Sequence, residues 1–305
     1  MLSDRIVYFN GDYVALDQAT VHLMSHSFSR GSAIFEVLGL HETNDGPAIF
    51  RLNEHIQRFF KSACLLGMEI PLGEDDLYIA VIETVKRNTC KKGLIKIMGY
   101  YPQIALGVLP PAKAVEISIF VVDPIQDLGD VVFPLAKNVS VCISKWRKLD
   151  PGTVPIEAKV AANYLNGMIA QAEAKSRGFD NSIMLDTKGL IAEGPTESVF
   201  LVKDGQLMTP SLNSVLQSIT RKSLLQLASV VGVEAIEQPL LPDLLFEAQE
   251  IFLSGTPTKV LPVRQIENRV LEKTPGTVTH KLSRLVKSIV SGSEERFKEW
   301  LFYIK

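Results

Sequence analysis

Two residues carry the sharpest chemical suggestion in this 305-residue chain, Lys159 and Glu193. A lysine amine can form a Schiff base with a carbonyl, and a carboxylate can hold a protonated ring nitrogen. Together they meet the first demands of a pyridoxal-phosphate site. Lys159 stands just ahead of a helix that begins with small residues, and a short hairpin follows whose second strand runs into Glu193-Gly194. A helix, a turn and two strands can fold both residues back towards one pocket. Taken alone, a solvated lysine and a turn glutamate are the commoner occurrence.

Three further places could bind an anion. Ser218-Ile219-Thr220-Arg221 lies where a loop enters a helix, so the free N–H groups at Ile219 and Thr220 and the Thr220 hydroxyl can hold a phosphate, although an ordinary N-cap explains the same residues. Ser254-Gly255-Thr256 follows a buried strand, and its glycine lets a phosphate approach the backbone. Arg51 sits between a strand and a helix, where a guanidinium can clamp an anion bidentately. The five histidines show no metal-ligand spacing and read as structural or surface residues, so no metal is expected. Asp75-Asp76 reads as the acidic first turn of a helix. Glycine-rich nucleotide loops and a serine nucleophile elbow do not occur.

The elements that must position these residues follow from periodicity and turn chemistry. Asn10-Gly11 closes a hairpin between residues 6–9 and 13–16. Strands are expected at 33–40, 47–50, 94–101, 115–122, 139–144 and 250–254, and helices from Asn53 as N-cap, over 75–89, over 220–231 and from Thr279 onward. Leu165, Met168, Ile169 and Ala172 form the apolar stripe of a helix that Gly178 ends, and hairpins turn at Lys188-Gly189 and Asp204-Gly205. A composition change between Asp123 and Lys137 marks a boundary. The chain thus divides into a small N-terminal domain (1–122), a linker (123–137) and a larger domain (138–305).

Composition narrows the setting. With 46% hydrophobic and 22% charged residues the chain can bury a large core, and a net charge of −2 without charge blocks speaks against nucleic acid or a membrane surface as partner. No apolar run approaches the roughly 20 residues that span a bilayer, and the N-terminal stretch lacks a secretion pattern. Cys64, Cys90 and Cys142 are far apart and odd in number, which fits a reduced, cytoplasmic protein.

The weak signals line up in one order. Arg51 within FRLNEHIQRF, Lys159 followed by a Tyr164-containing ANYLN, the Glu-Gly of AEGPTESVFLVKDGQLMTP, SITR, and SGT followed by VLPV resemble the fold-type IV pyridoxal-phosphate enzymes, a family of branched-chain and D-amino-acid aminotransferases and aminodeoxychorismate lyases. The resemblance implies an α+β chain with a small N-terminal α/β domain and a larger C-terminal pseudo-barrel α/β domain, acting as a homodimer. Pyridoxal 5'-phosphate would be the cofactor, and Lys159 would carry it and shuttle the proton at the substrate's α-carbon. Glu193 would keep the ring nitrogen protonated, Tyr164 would donate to the ring's phenolic oxygen, and Leu216 would pack on the ring. Arg51, Ile219, Thr220 and Thr256 would bind the phosphate.

Departures bear on the substrate. Arg30, Lys96-Ile97, Ser218, Pro257 and Thr258-Lys259 replace residues usual in branched-chain enzymes, and Glu36-Val37 is nearer to D-amino-acid enzymes. The arginine-x-histidine loop of the D-enzymes is not evident near residues 103–109, whereas IALGVLPP resembles a branched-chain loop. The leading expectation is transamination between a branched-chain-like amino acid and a 2-oxo acid, with Arg30, Phe35, Lys96 and Pro257 towards the substrate. D-amino-acid transamination with Arg30 as carboxylate anchor is the alternative, then the lyase, and last a non-catalytic family member.

Overall fold

The computed structural model describes residues 2–129 and 137–305, so residues 130–136 of the expected linker lie outside the described part. Two compact units emerge, and neither is one continuous span. The first joins the chain up to residue 129 with Ala158–Ala162 and Ser288–Lys305; the second holds residues 137–157 and Asn163–Lys287.

The first unit is built on an all-antiparallel sheet. β1 (Ile6–Phe9) and β2 (Asp12–Ala15) form the hairpin read from Asn10-Gly11, whose φ angles of 55° and 103° are those the turn requires. α1 (His26–Arg30) precedes β3 (Ile34–Thr43) and β4 (Gly46–Phe50). α2 (Leu52–Leu65) and α3 (Glu74–Arg87) then lead to β5 (Gly93–Tyr100) and β6 (Glu116–Val122). The strand order is β15-β4-β3-β5-β6-β1-β2, where β15 (Leu301–Tyr303) comes from the far end of the chain.

Period-two alternation decides which face of this sheet is core. Ile34, Leu38, Ile95 and Ile97 are fully buried in a cluster with Ile56 and Phe59 of α2. Glu36 points to the same face and is also fully buried, because α2 presents partners for it: His55 Nδ1 lies 2.8 Å from Oε2, and Arg58 donates to both oxygens at 2.7 Å. Burial alone would raise this carboxyl, but the Arg58 charge and hydrogen bonds, with His55, outweigh it and hold the group at about 2. The opposite face carries Phe35, Val37, Lys96 and Met98, all half-buried.

The second unit has a mixed sheet. Its strands are β7 (Val139–Ile143), β8 (Asn181–Ile183), β9 (Ser198–Lys203), β10 (Gln206–Pro210), β11 (Glu234–Gln238), β12 (Glu250–Ser254), β13 (Leu261–Ile266) and β14 (Arg269–Val270). They run in the order β11-β10-β9-β12-β13-β7-β8, with β14 paired to β13, and the β10–β11, β13–β7 and β7–β8 pairs are parallel. α4 (Tyr164–Ser176), α5 (Ile219–Ala228), the short α6 (Leu244–Glu247) and α7 (Thr277–Val290) complete the helices. The hairpin turn at Asp204-Gly205 joins β9 to β10 as read from the sequence. The start of α7 is tied by the buried Glu250 carboxylate, which accepts the Val278 and Thr279 N–H groups at 2.9 and 2.7 Å.

Several sequence expectations are corrected. α2 begins at Leu52, and Arg51, in a left-handed conformation (φ 52°), occupies the N-cap position instead of Asn53. α4 does not bury the Leu165–Met168 stripe; these two are 59% and 60% exposed, and Gly167, Ala170 and Ala174 face inward. The reason is close approach: a Cβ on Gly167 would lie 2.3 Å from the Pro195 carbonyl oxygen, so the helix packs through its smallest side chains. Helix does not continue from Thr279 onward. Gly292 (φ 75°) follows α7, a 3₁₀ segment spans Glu295–Trp300, and Leu301–Tyr303 pair with the open edge of β4. The 220–231 helix is α5 followed by a 3₁₀ turn, Ser229–Val231, capped by Gly232 as expected.

Candidate active site

Lys159 belongs to a short segment held by the first unit's sheet and helix. Its carbonyl accepts the Phe35 N–H of β3 at 3.0 Å, and its own N–H donates to Ser62 Oγ of α2 at 3.0 Å. Ser62 is fully buried and donates in turn to the Arg58 carbonyl at 2.9 Å. Ala161 adds a bond from its N–H to the Ala33 carbonyl at 2.8 Å. The backbone is thereby fixed on both sides, and the Lys159 Nζ reaches to 4.7 Å from the centre of the Phe35 ring. Lys96 Nζ lies 5.1 Å from the same ring, and burial lowers its pKa. The first unit therefore brings Lys159, Phe35 and Lys96 together.

Two sequence candidates in that unit are engaged elsewhere. The Arg51 guanidinium lies 3.7 Å over the Trp300 ring and donates to Glu54 at 2.5 Å. Arg30, the last residue of α1, is exposed and donates to the Leu106 carbonyl at 2.8 Å. Glu36 and His55 satisfy each other at 2.8 Å, and buried His26 meets Ser32 Oγ and the Val108 carbonyl, both at 2.8 Å.

In the second unit, Glu193 is 8% exposed, and Lys148 pairs with its Oε1. The Glu193 carbonyl accepts the Met184 N–H at 2.9 Å, within the hairpin whose turn at Lys188-Gly189 is closed by Asp186 Oδ1 accepting the Lys188 and Leu190 N–H groups. Glu193 shares a small crevice with Ala192, Ser198, Val199, Val215 and Arg221, so the hairpin and the entry to α5 come together. Arg221 fixes that entry by donating to Pro210 O, Thr209 Oγ1 and Glu237.

The N-cap Ser218 side chain takes only the Arg221 N–H, at 3.2 Å. The N–H groups of Ile219 and Thr220, in the first turn of α5, thus remain as donors among the described residues, and the buried Thr220 adds a hydroxyl. Thr256, after β12, follows Gly255, which an added Cβ would bring to 3.6 Å from the Thr196 carbonyl oxygen, on the loop that begins at Glu193. Tyr164 opens α4 and Leu216 precedes α5, both half-buried, while Pro257 is exposed. This donor set suits a phosphate, and a carboxylate with one oxygen left without a donor among the described residues suits a protonated ring nitrogen.

The amino-transferase class IV family model matches residues 33–266. The chain belongs to this family. The class IV aminotransferase is 33% identical to the branched-chain-amino-acid aminotransferase of Escherichia coli over 298 residues, 97% of this chain and 96% of that protein. It is 31% identical over 303 residues to the enzyme of that name from Pseudomonas aeruginosa, covering 99% and 98%. A solved branched-chain amino acid aminotransferase from T.th. superposes with a TM-score of 0.93 at 32% identity over the whole of both chains, and it has also been solved with N-(5'-phosphopyridoxyl)-L-glutamate.

Sequence reasoning missed three residues of the aminotransferase. Ser62 had a readable signal, a serine one helical turn after Arg58 on the buried face of an amphipathic helix. Arg58 itself was hidden by the more obvious strand-to-helix arginine. Lys148 had none, being one of several cations in a polar loop and 45 residues before its partner.

Proposed function

We propose that this aminotransferase uses pyridoxal 5'-phosphate to move an amino group between a branched-chain amino acid and a 2-oxo acid, as a cytoplasmic homodimer. What carries the reading is near-full-length similarity to branched-chain enzymes, one of them solved with a phosphopyridoxyl amino acid. The residues fit that cofactor. Ile219 and Thr220 N–H groups with the Thr220 and Thr256 hydroxyls would take its phosphate. Glu193 Oε2, with no donor among the described residues, would hold the ring nitrogen's proton. Tyr164 would donate to the phenolic oxygen and Leu216 would cover the ring.

Bound in this way, the cofactor supplies an electron sink for the charge that develops at the substrate's α-carbon. Lys159 Nζ would take the proton from that carbon, for which its amine must be neutral. Its clamped backbone leaves only side-chain torsions to order, which favours proton transfer in a fixed geometry. Phe35, Val37 and Met98 offer an apolar face to an aliphatic side chain, with Lys96, Pro257 and Arg30 as further substrate contacts. Arg30's bond to Leu106 favours reading it as a strap on that loop over a carboxylate anchor.

The phosphate's cation is better sought at Arg58 than at Arg51. Arg51 lies against Trp300, whereas Arg58, while it donates to Glu36 through Nε and Nη2, stands one turn from Ser62 and hence from the Lys159 backbone. Arg58→Ala should weaken cofactor binding more than Arg51→Ala does. We also propose the chain-order division 1–122, 123–137 and 138–305 as the functional one, with Ala158–Ala162 and Ser288–Lys305 the parts of the larger domain that belong to the first unit.

The test is a half-reaction screen that follows the cofactor's absorbance with L- and D-forms of leucine, alanine and glutamate. L-leucine should bleach the band most efficiently. A response confined to D-forms would replace the substrate assignment.

A further inference from the structure

Lys148 is absent from the catalytic account above, yet it touches that account's central carboxylate. Its ammonium pairs with Glu193 Oε1, and each side chain is only 11% exposed. Both backbones are tied to adjacent residues of one hairpin arm, Lys148 N–H to the Leu185 carbonyl at 2.8 Å and the Glu193 carbonyl to the Met184 N–H at 2.9 Å. The pair is therefore held from both sides and is not a chance meeting of two mobile side chains.

The surrounding charges sharpen its role. Glu197, the next carboxyl along the loop, accepts the Thr196 N–H at 3.0 Å and Asn181 Nδ2 at 3.2 Å; burial pushes its pKa up, and the Glu193 charge adds to that. Arg221 lines the same crevice but is spent on Glu237 and the Pro210 carbonyl. A carboxylate as buried as Glu193 is costly to leave without a cation, and Lys148 supplies one.

We propose that Lys148 is a positioning residue that stands in for the cofactor's ring nitrogen. It neutralises Glu193 before the cofactor binds, and afterwards it shares the carboxylate, keeping Oε1 and leaving Oε2 to the ring. The inference rests on the reading of Glu193 as the ring-nitrogen partner. Its consequence runs against the usual effect of deleting a site residue. Two cations on one carboxylate each hold it less strongly, so removing Lys148 leaves the whole charge to the protonated ring. The apoprotein is penalised and the cofactor complex is favoured.

The experiment compares wild type, Lys148→Met and Lys148→Arg, each with and without pyridoxal 5'-phosphate. Lys148→Met should lower the apoprotein melting temperature by several degrees and the holoprotein's by clearly less. By linkage its cofactor dissociation constant should then fall by about three- to tenfold. Lys148→Arg should stay within about twofold of wild type, because the cation is kept. In a Glu193→Gln background the Lys148→Met effect on affinity should vanish, as a double-mutant cycle requires of two residues that act through one contact. Should the Met variant not fold without cofactor, Lys148→Gln gives the same affinity comparison.

Equal destabilisation of both forms with unchanged affinity would reduce Lys148 to an ordinary structural ion pair and overturn the proposal. A wild-type protein without a Lys159-dependent absorbance band would instead overturn the cofactor reading itself. The two failures are separable because the second shows in the wild type alone.

Discussion

The two units hold their chemical residues in different ways. In the first, Lys159 is fixed through its backbone by a strand N–H and a helix serine, and its side chain extends to the open face of an antiparallel sheet. In the second, the backbone of Glu193 is a hairpin arm, and what defines the residue is the buried ion pair of its side chain with Lys148. Beside it the first-turn N–H groups of α5 at Ile219 and Thr220 stand next to Arg221, whose guanidinium is already paired with Glu237 and the Pro210 carbonyl. The first unit fixes the backbone from which an amine extends; the second fixes a buried carboxylate by an ion pair. Substitutions in the first should therefore act on geometry, and those in the second on affinity and charge.

That contrast can be broken or sharpened by experiment. The largest effect belongs to the two named residues: Lys159→Ala should remove the cofactor's visible band and cut turnover by about a thousandfold or more, and Glu193→Gln should lower kcat by roughly a hundredfold with the band retained. An unchanged rate in Glu193→Gln would end its assignment to the ring nitrogen. Next is Gly167→Ala, whose new methyl must displace the Pro195 backbone and thus the Glu193 loop; a loss of about 1–3 kcal/mol in chemical denaturation is expected, with weaker cofactor binding.

The pH dependence of stability tests the first unit's anchor. Glu36 is depressed from 4.5 to about 2 in the folded chain, so its contribution is complete above the higher value and is lost as pH falls through that window. Glu36→Gln should lower stability at neutral pH and flatten the acid limb of the curve; an unaltered acid limb would place the titration elsewhere. The last substitution is Ser62→Ala, which removes the acceptor of the Lys159 N–H at a cost of about 1–3 kcal/mol and should reduce kcat with little change in KM. A pure stability loss with normal kcat would mean that the clamp does not serve the amine.

Local features were legible in the sequence because their causes are local. Asn10-Gly11 and Asp204-Gly205 demand positive φ, and both turn hairpins; SITR reads as a helix entry and is one. The order of short motifs was enough to place the family, since each element brings one residue type to a fixed point on its own backbone. Long-range pairing left no such trace. Glu36-Val37 reads in the sequence only as a likeness to D-amino-acid enzymes, and nothing there sets Glu36 against His55 and Arg58 or Lys148 against Glu193. The α4 stripe misled because large apolar side chains advertise burial, whereas this helix is held by the absence of side chain at Gly167. Likewise the strand at Leu301–Tyr303 depends on an edge left vacant hundreds of residues earlier, which no window of local periodicity contains.

That late strand has a consequence for synthesis. β4 leaves the ribosome long before β15 exists, so during most of translation the rim of the first unit's sheet is an uncovered row of N–H and carbonyl groups. The Arg51 backbone, which donates to the Trp300 carbonyl at 2.7 Å, likewise waits for its acceptor. A nascent chain in this condition invites pairing with its polysome neighbours, and closing the edge becomes one of the final events of its maturation.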